Sequence, residues 1–229
     1  MSNASDGSTR DRGPAFFGRV TAGVSHELNN IFATINELSG LLGDLAAAGQ
    51  RGRPPDPQRL ESISQRISLQ VERGQRQTKR LNRFAHSVDK QDGHTDLNAV
   101  AQEVLALFER VARLRKVEVL SALADGPLAT SAEPFDLYQI VWHALELGVD
   151  AVGEGGQLEL QLHPSGAGAG LVVRGGGSVP TVAPRAKLVT ALQELVVPFC
   201  GQVSLNPDVG ATFCLTVLLP KSPTRGGPS

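Results

Sequence analysis

The sequence predicts an all-α helical hairpin that pairs with a second copy into a dimeric four-helix bundle, followed by an α+β sandwich. Three observations predict it. Apolar residues recur at steps of three and four along two stretches of more than thirty residues. A Gly/Pro-rich segment, Gly49–Pro57, separates those stretches. From Thr95 onward helical patterns mix with short alternating runs.

The first helix is expected from Pro14 to about Ala48, with Phe17, Val20, Val24, Leu28, Ile31, Ile35, Leu38, Leu42 and Leu45 as one apolar stripe. Pro14 suits a first turn, where its missing N–H costs nothing. The second helix runs from about Pro57 to Asp89 with a similar stripe through Leu60, Ile63, Ile67, Val71, Gly74, Thr78 and Leu81. Two antiparallel helices cannot cover both stripes, whereas two hairpins packed together can. A homodimer is therefore expected.

Asp96 reads as the cap of a helix whose inward residues are Leu97, Val100, Val104, Leu107, Phe108, Val111 and Leu114. A strand is expected over Lys116–Ala122, a helix over Phe135–Val152, strands at Gln157–Leu162 and Leu171–Arg174, and a helix over Pro184–Val197. Gly201–Asn206 and Ala211–Leu219 form a closing hairpin around the turn Pro207–Gly210. The domains are then a disordered tail over 1–13, the hairpin over 14–92, the sandwich over 95–220 and a second disordered tail over 221–229.

Among the 229 residues, 41% are hydrophobic and 20% charged, the balance of a globular protein with a real core. The net charge of −1 and the lack of a basic stripe argue against nucleic acid. No run approaches the length a membrane helix needs, and the polar start lacks the apolar centre of a signal peptide. Two cysteines, Cys200 and Cys214, read as core thiols in a reducing cytoplasm, which is the expected location.

Gly18–Asn30 (GRVTAGVSHELNN) is the most informative stretch. Val24, Leu28 and Ile31 point inward, so His26, two residues from both Val24 and Leu28, falls on the solvent flank. An exposed imidazole is available as a nucleophile, and ordinary imidazoles are largely neutral at physiological pH. Glu27 follows directly and could hold one ring N–H, leaving the other nitrogen a free lone pair. Asn30, one turn along on the same face, could orient a water or a phosphoryl oxygen.

Ser25-His26-Glu27-Leu28-Asn29-Asn30, set in its helical hairpin, resembles the phosphoacceptor box of bacterial sensor histidine kinases. The resemblance implies that His26 is the phosphoacceptor, Glu27 its activating acid/base and Asn30 the residue tied to dephosphorylating a partner. One departure is Ile31, where that family usually has proline; it implies a straighter helix below the histidine.

The second half resembles the ATP-binding domain of the same family as a scaffold without a lid. Leu137-Tyr138-Gln139-Ile140 and Asp150-Ala151 bracket the helix that normally carries two asparagines, here His143 and Leu147. Leucine offers no oxygen to a hard cation. After the next strand the family has an aspartate that holds adenine; in LVVRGGGSVP (Leu171–Pro180) Arg174 takes that place and cannot accept the adenine proton. The connection from Gly177 to Arg185 is too short for a lid. The glycine runs at 166–170 and 175–177 lack the strand–loop–helix setting of a phosphate loop and read as hairpin turns. His86 and His94 read as surface residues, His163 as a strand-end residue, His143 with Glu146 as a relic surface, and Trp142 as packing on the sheet.

The resemblance thus implies a histidine phosphotransferase, derived from a kinase and without ATP binding. It would relay phosphoryl groups between His26 and aspartates on the receiver domains of response regulators. Asn30, Ala33, Thr34 and Glu37 would form much of the docking face. No cofactor is expected in this chain, the receiver bringing magnesium, and a hybrid histidine kinase is a further candidate partner. Alternatives are a non-catalytic, pseudokinase-type regulator of a kinase or receiver, and a working kinase with a divergent nucleotide site.

Overall fold

The computed structural model describes residues 12–89, 95–166, 168–176, 186–205 and 213–221. The expected tails, His94, the Gly177–Arg185 connection and the Pro207–Gly210 turn lie outside the described residues, apart from Arg12, Gly13 and Lys221 at the tails' edges. The chain divides into two compact units at Ala85 and His86.

Unit one is the helical hairpin. Helix α1 spans Arg12–Gln50 without a break through Ile31, and α2 spans Pro57–His86. Between them Gly52 takes a positive φ of 82°, and Asp56 Oδ1 accepts from Gln58 N at 3.0 Å to start α2. The buried stripe of α1 runs through Phe16, Val20, Val24, Ile31 and Leu38. Phe16 is deeper than Phe17, although both rings meet Phe84, edge-on at 5.7 Å and stacked at 5.2 Å. On α2 only Ile63 and Phe84 are buried. Within one copy, then, much of the second apolar stripe is left uncovered.

Unit two opens with β1 (Thr95–Asp96), which pairs antiparallel with β3 (Ala129–Thr130), a two-residue ribbon too short to leave a sequence pattern. Helix α3 (Leu97–Leu114) is capped as expected: Asp96 Oδ1 accepts from Asn98 N at 3.0 Å and also from Leu128 N at 2.8 Å. Strand β2 (Glu118–Ala122), helix α4 (Pro134–Val152), strands β4 (Gln157–Ser165) and β5 (Gly168–Gly176), helix α5 (Ala186–Val196) and strands β6 (Gln202–Leu205) and β7 (Phe213–Pro220) complete it. The sheet order is β2-β4-β5-β7-β6, with β2 parallel to β4 and every other pair antiparallel.

Helix α4 lies directly on the sheet. A Cβ on Gly148 would stand 2.4 Å from Leu158 Cδ1 and 2.9 Å from Val173 Cγ1, so only glycine allows that approach. The face under α4 therefore carries Leu158 and Leu160 of β4, Leu171 and Val173 of β5, and Leu215 and Val217 of β7, all fully buried. Trp142 is buried and meets Phe108 of α3 edge-on at 5.0 Å, a contact between helices. At the start of α4, burial pushes the Asp136 carboxyl above its ordinary range, and the charge of Glu133 pushes the same way. Cys214 is buried, but Cys200 is exposed and in the left-handed region at φ 53°, so only one of the two thiols belongs to the core. Among the described residues no helix is long and apolar enough to cross a membrane.

Candidate phosphoacceptor site

The apolar stripe of α1 decides where the site residues point. With Val24 and Ile31 buried, His26 is exposed, as the spacing predicts. Asn30 is also exposed, and its Nδ2 lies 3.3 Å from His26 Nδ1, the i, i+4 contact of two residues on one helix face. Ala33 and Glu37 continue that face into solvent. Thr34 is half-buried, its Oγ1 donating to the Asn30 carbonyl at 3.0 Å.

Glu27 is placed differently from its neighbours. It is 6% exposed and its carboxylate forms an ion pair with Arg73 of α2. Arg73 is the site residue that sequence reasoning missed. A pair between antiparallel helices depends on the exact offset the loop sets between them, which no spacing within α1 or α2 reveals. The pair ties α1 to α2 beside the histidine, while the ring's own partner is Asn30.

Below the histidine the hairpin leaves a groove of about 550 Å³, lined by Leu28, Ile31, Phe32 and Ile35 of α1 with Val71 and Gly74 of α2. Phe32 is 60% exposed and Val71 43%, large for apolar side chains at the edge of a stripe.

In unit two, the residues at the two asparagine positions are shut into the structure: Leu147 is fully buried and His143 nearly so, its Nδ1 3.3 Å from Glu146 Oε2. Strand parity revises one expectation. Gly175 faces α4, where a Cβ would stand 2.3 Å from Val152 Cγ1. Arg174, one residue earlier, turns to the opposite face of the sheet and donates from Nη1 to Gln161 Oε1 at 3.1 Å. The position on the helix-covered side is thus held by a glycine, which has no side chain to accept a hydrogen bond. Of the other histidines, exposed His86 lies 3.5 Å from Asp89 Oδ2, and His163, inside β4 rather than at its end, sets its ring over Gly170. Among the described residues no group of three or more His, Cys, Asp or Glu could hold a metal ion.

No protein-family model matches the chain. It is 24% identical over 228 residues to the sensor histidine kinase ZraS of Escherichia coli K12, an alignment covering 92% of this chain and 47% of that protein. With ZraS of Escherichia coli O157:H7 it is 23% identical over 160 residues, covering 70% of this chain and 33% of the relative. The chain thus spans between a third and a half of the length of these curated relatives. Among solved structures, the catalytic domain of histidine kinase ThkA in a nucleotide-free form matches with a TM-score of 0.50 at 15% identity. That match covers 57% of this chain and 97% of the domain, a likeness of fold.

The chain thus combines a helical hairpin that carries an outward histidine with a unit whose fold is like that of a histidine kinase catalytic domain. More particularly, the relatives it is similar to in sequence are bacterial sensor histidine kinases.

Proposed function

We propose that this chain is a histidine phosphotransferase that exchanges phosphoryl groups between His26 and aspartates of response-regulator receiver domains without binding ATP. The observation that carries the reading is the exposure of His26 on an unbroken helix, with Asn30 against its ring. In the transfer, a ring nitrogen attacks the phosphorus of an aspartyl phosphate; the N–P bond forms, the O–P bond breaks and the aspartate carboxylate leaves. Such a step needs chiefly positioning and charge stabilisation. Asn30, Ala33, Thr34 and Glu37 offer the receiver a continuous docking strip on α1, and the receiver is expected to bring magnesium.

The second unit supports the ATP-independent part of the reading. An ATP–magnesium site of the implied kind needs side-chain oxygens at the asparagine positions and an acceptor for adenine. Leu147 and Gly175 supply none, and Leu147 is packed in the interior. Unit two then acts as a scaffold. Mixing the protein with phosphorylated receivers from its own cell should move label onto the chain with no nucleotide present. Calorimetry with ATP and magnesium should show no heat. Autophosphorylation from ATP would overturn the reading in favour of a working kinase.

The reading includes a homodimer. Phe32, Val71 and their groove are the surface a second hairpin would cover, closing a four-helix bundle. Phe32→Glu places a charge there in both copies. With each buried aromatic worth ~2 kcal/mol and buried charge adding to that, dimer dissociation should rise by at least about a hundredfold. Light scattering across a dilution series checks this; an unchanged dimer would move the interface elsewhere.

A further inference from the structure

Arg59, Arg66, Arg73 and Arg80 recur at every seventh residue of α2. Seven residues are close to two helical turns, so the four guanidinium groups follow one line, about 10.5 Å apart along the axis. Arg73 is committed to Glu27, which sets the middle of the line beside His26. Arg66 is exposed and Arg80 half-buried, and among the described residues neither has an ion-pair partner. The two carboxylates of α2 are engaged off the line: Glu61 accepts from Gln65, and Glu72 pairs with Arg76. His26 stands two residues from Leu28, Arg73 two from Val71 and Arg80 two from Thr78, and those three partners line the groove. Two residues turn a helix by about 200°, so histidine and arginines share the side of the hairpin away from the groove. A second hairpin closing over the groove would leave them open.

We propose that this line of arginines docks the acidic face of a phosphorylated receiver domain and sets how fast receivers reach His26. This rests on the reading of His26 as phosphoacceptor. The face that meets the histidine has to present an aspartyl phosphate, together with the groups that hold the receiver's magnesium. Hard cations take oxygen ligands, carboxylates above all, so that face is anionic. Arginine is its complement at any working pH, because the guanidinium does not deprotonate. With Arg73 neutralised by Glu27, the attraction comes chiefly from Arg66 and Arg80 on either side of the histidine. They lie about 21 Å apart along the axis, within the ~30 Å width of a small domain. Complementary charge of this kind raises the rate of encounter more than the final affinity. Nucleic acid fits less well: four charges along roughly 32 Å are sparse beside a duplex that carries one per about 1.7 Å. One arginine in seven is also why the sequence shows no dense basic stripe.

The test is single-turnover transfer from a phosphorylated receiver to the full-length protein at rising sodium chloride. It is paired with binding of the same receiver to the His26→Gln protein, where no transfer follows. At low salt, Arg66→Gln with Arg80→Gln should lower the second-order rate constant about tenfold, while the rate at saturating receiver stays unchanged. That gap should close as salt shortens the screening length from about 30 Å at 0.01 M to about 3 Å at 1 M. Arg66→Lys with Arg80→Lys keeps both charges and should stay within about threefold of the parent. Circular dichroism confirms that α2 is intact in both double variants. Transfer by the glutamine variant at the parent's rate in low salt overturns the proposal, as does tighter binding of duplex DNA than of receiver. If no form accepts the phosphoryl group while receiver binding still weakens with salt and with loss of the arginines, the phosphoacceptor reading fails and the docking surface stands. Receiver binding indifferent to both overturns the surface.

Discussion

His26→Gln is expected to reduce phosphoryl transfer from a phosphorylated receiver to background while leaving the fold and the proposed dimer intact. Glutamine keeps polarity and approximate size, but its amide nitrogen has no lone pair available for attack on phosphorus. The residue is exposed, so the substitution removes no packing, and surface changes of this kind usually stay within about 0.5 kcal/mol of neutral. The expected outcome is therefore a complete loss of acid-labile label with unchanged helical content and unchanged mass by light scattering. Label that survives on the variant would place the acceptor on another residue and remove the basis of the proposed activity.

The second large effect is expected at Arg73. Glu27 is 6% exposed, so Arg73→Ala removes the ion-pair partner of a buried carboxylate. Stranding one partner of a fully buried pair costs about 3–5 kcal/mol. Because the Arg73 side chain is 40% exposed, solvent screens part of that and about 2 kcal/mol is expected. Glu27→Gln in the Arg73→Ala background should recover much of the loss, giving a coupling of at least about 1 kcal/mol in a double-mutant cycle. The measurement is feasible because the chain has one tryptophan, Trp142, and it lies in unit two. Fluorescence then follows unit two, while far-ultraviolet dichroism is dominated by the long helices of the hairpin. Additive single-site effects would mean that the pair contributes nothing to holding α1 against α2 beside the histidine.

What could be read from the sequence follows from how far each signal reaches. The outward placement of His26 and the Asp96 cap rest on periodicities and spacings of a few residues, and the structure shows both. The Glu27–Arg73 pair joins residues 46 apart across a loop, so no local pattern announces it. The side on which Arg174 falls was hidden for a different reason. Val172 and Val173 are 7% and 0% exposed, so both faces of β5 are covered and the alternation that would reveal parity disappears. Only the close approach of Gly175 to Val152 settles the face. The exposure of Cys200 depends on a left-handed turn after the 3₁₀ segment Val197–Phe199, at a residue type that rarely adopts that conformation.

The strand order has a bearing on how this protein is made. β7, the last strand in sequence, is not at the rim but between β5 and β6, so it supplies the hydrogen-bonded partner that both of those strands need. While the ribosome still encloses residues 213–220, β5 has an unpaired edge and β6 has no strand to pair with. The hairpin, a compact unit that ends at Ala85, needs no later strand and can form while translation continues. Birth of the molecule is thus staged: the helical stalk first, and the sheet only once its final strand emerges.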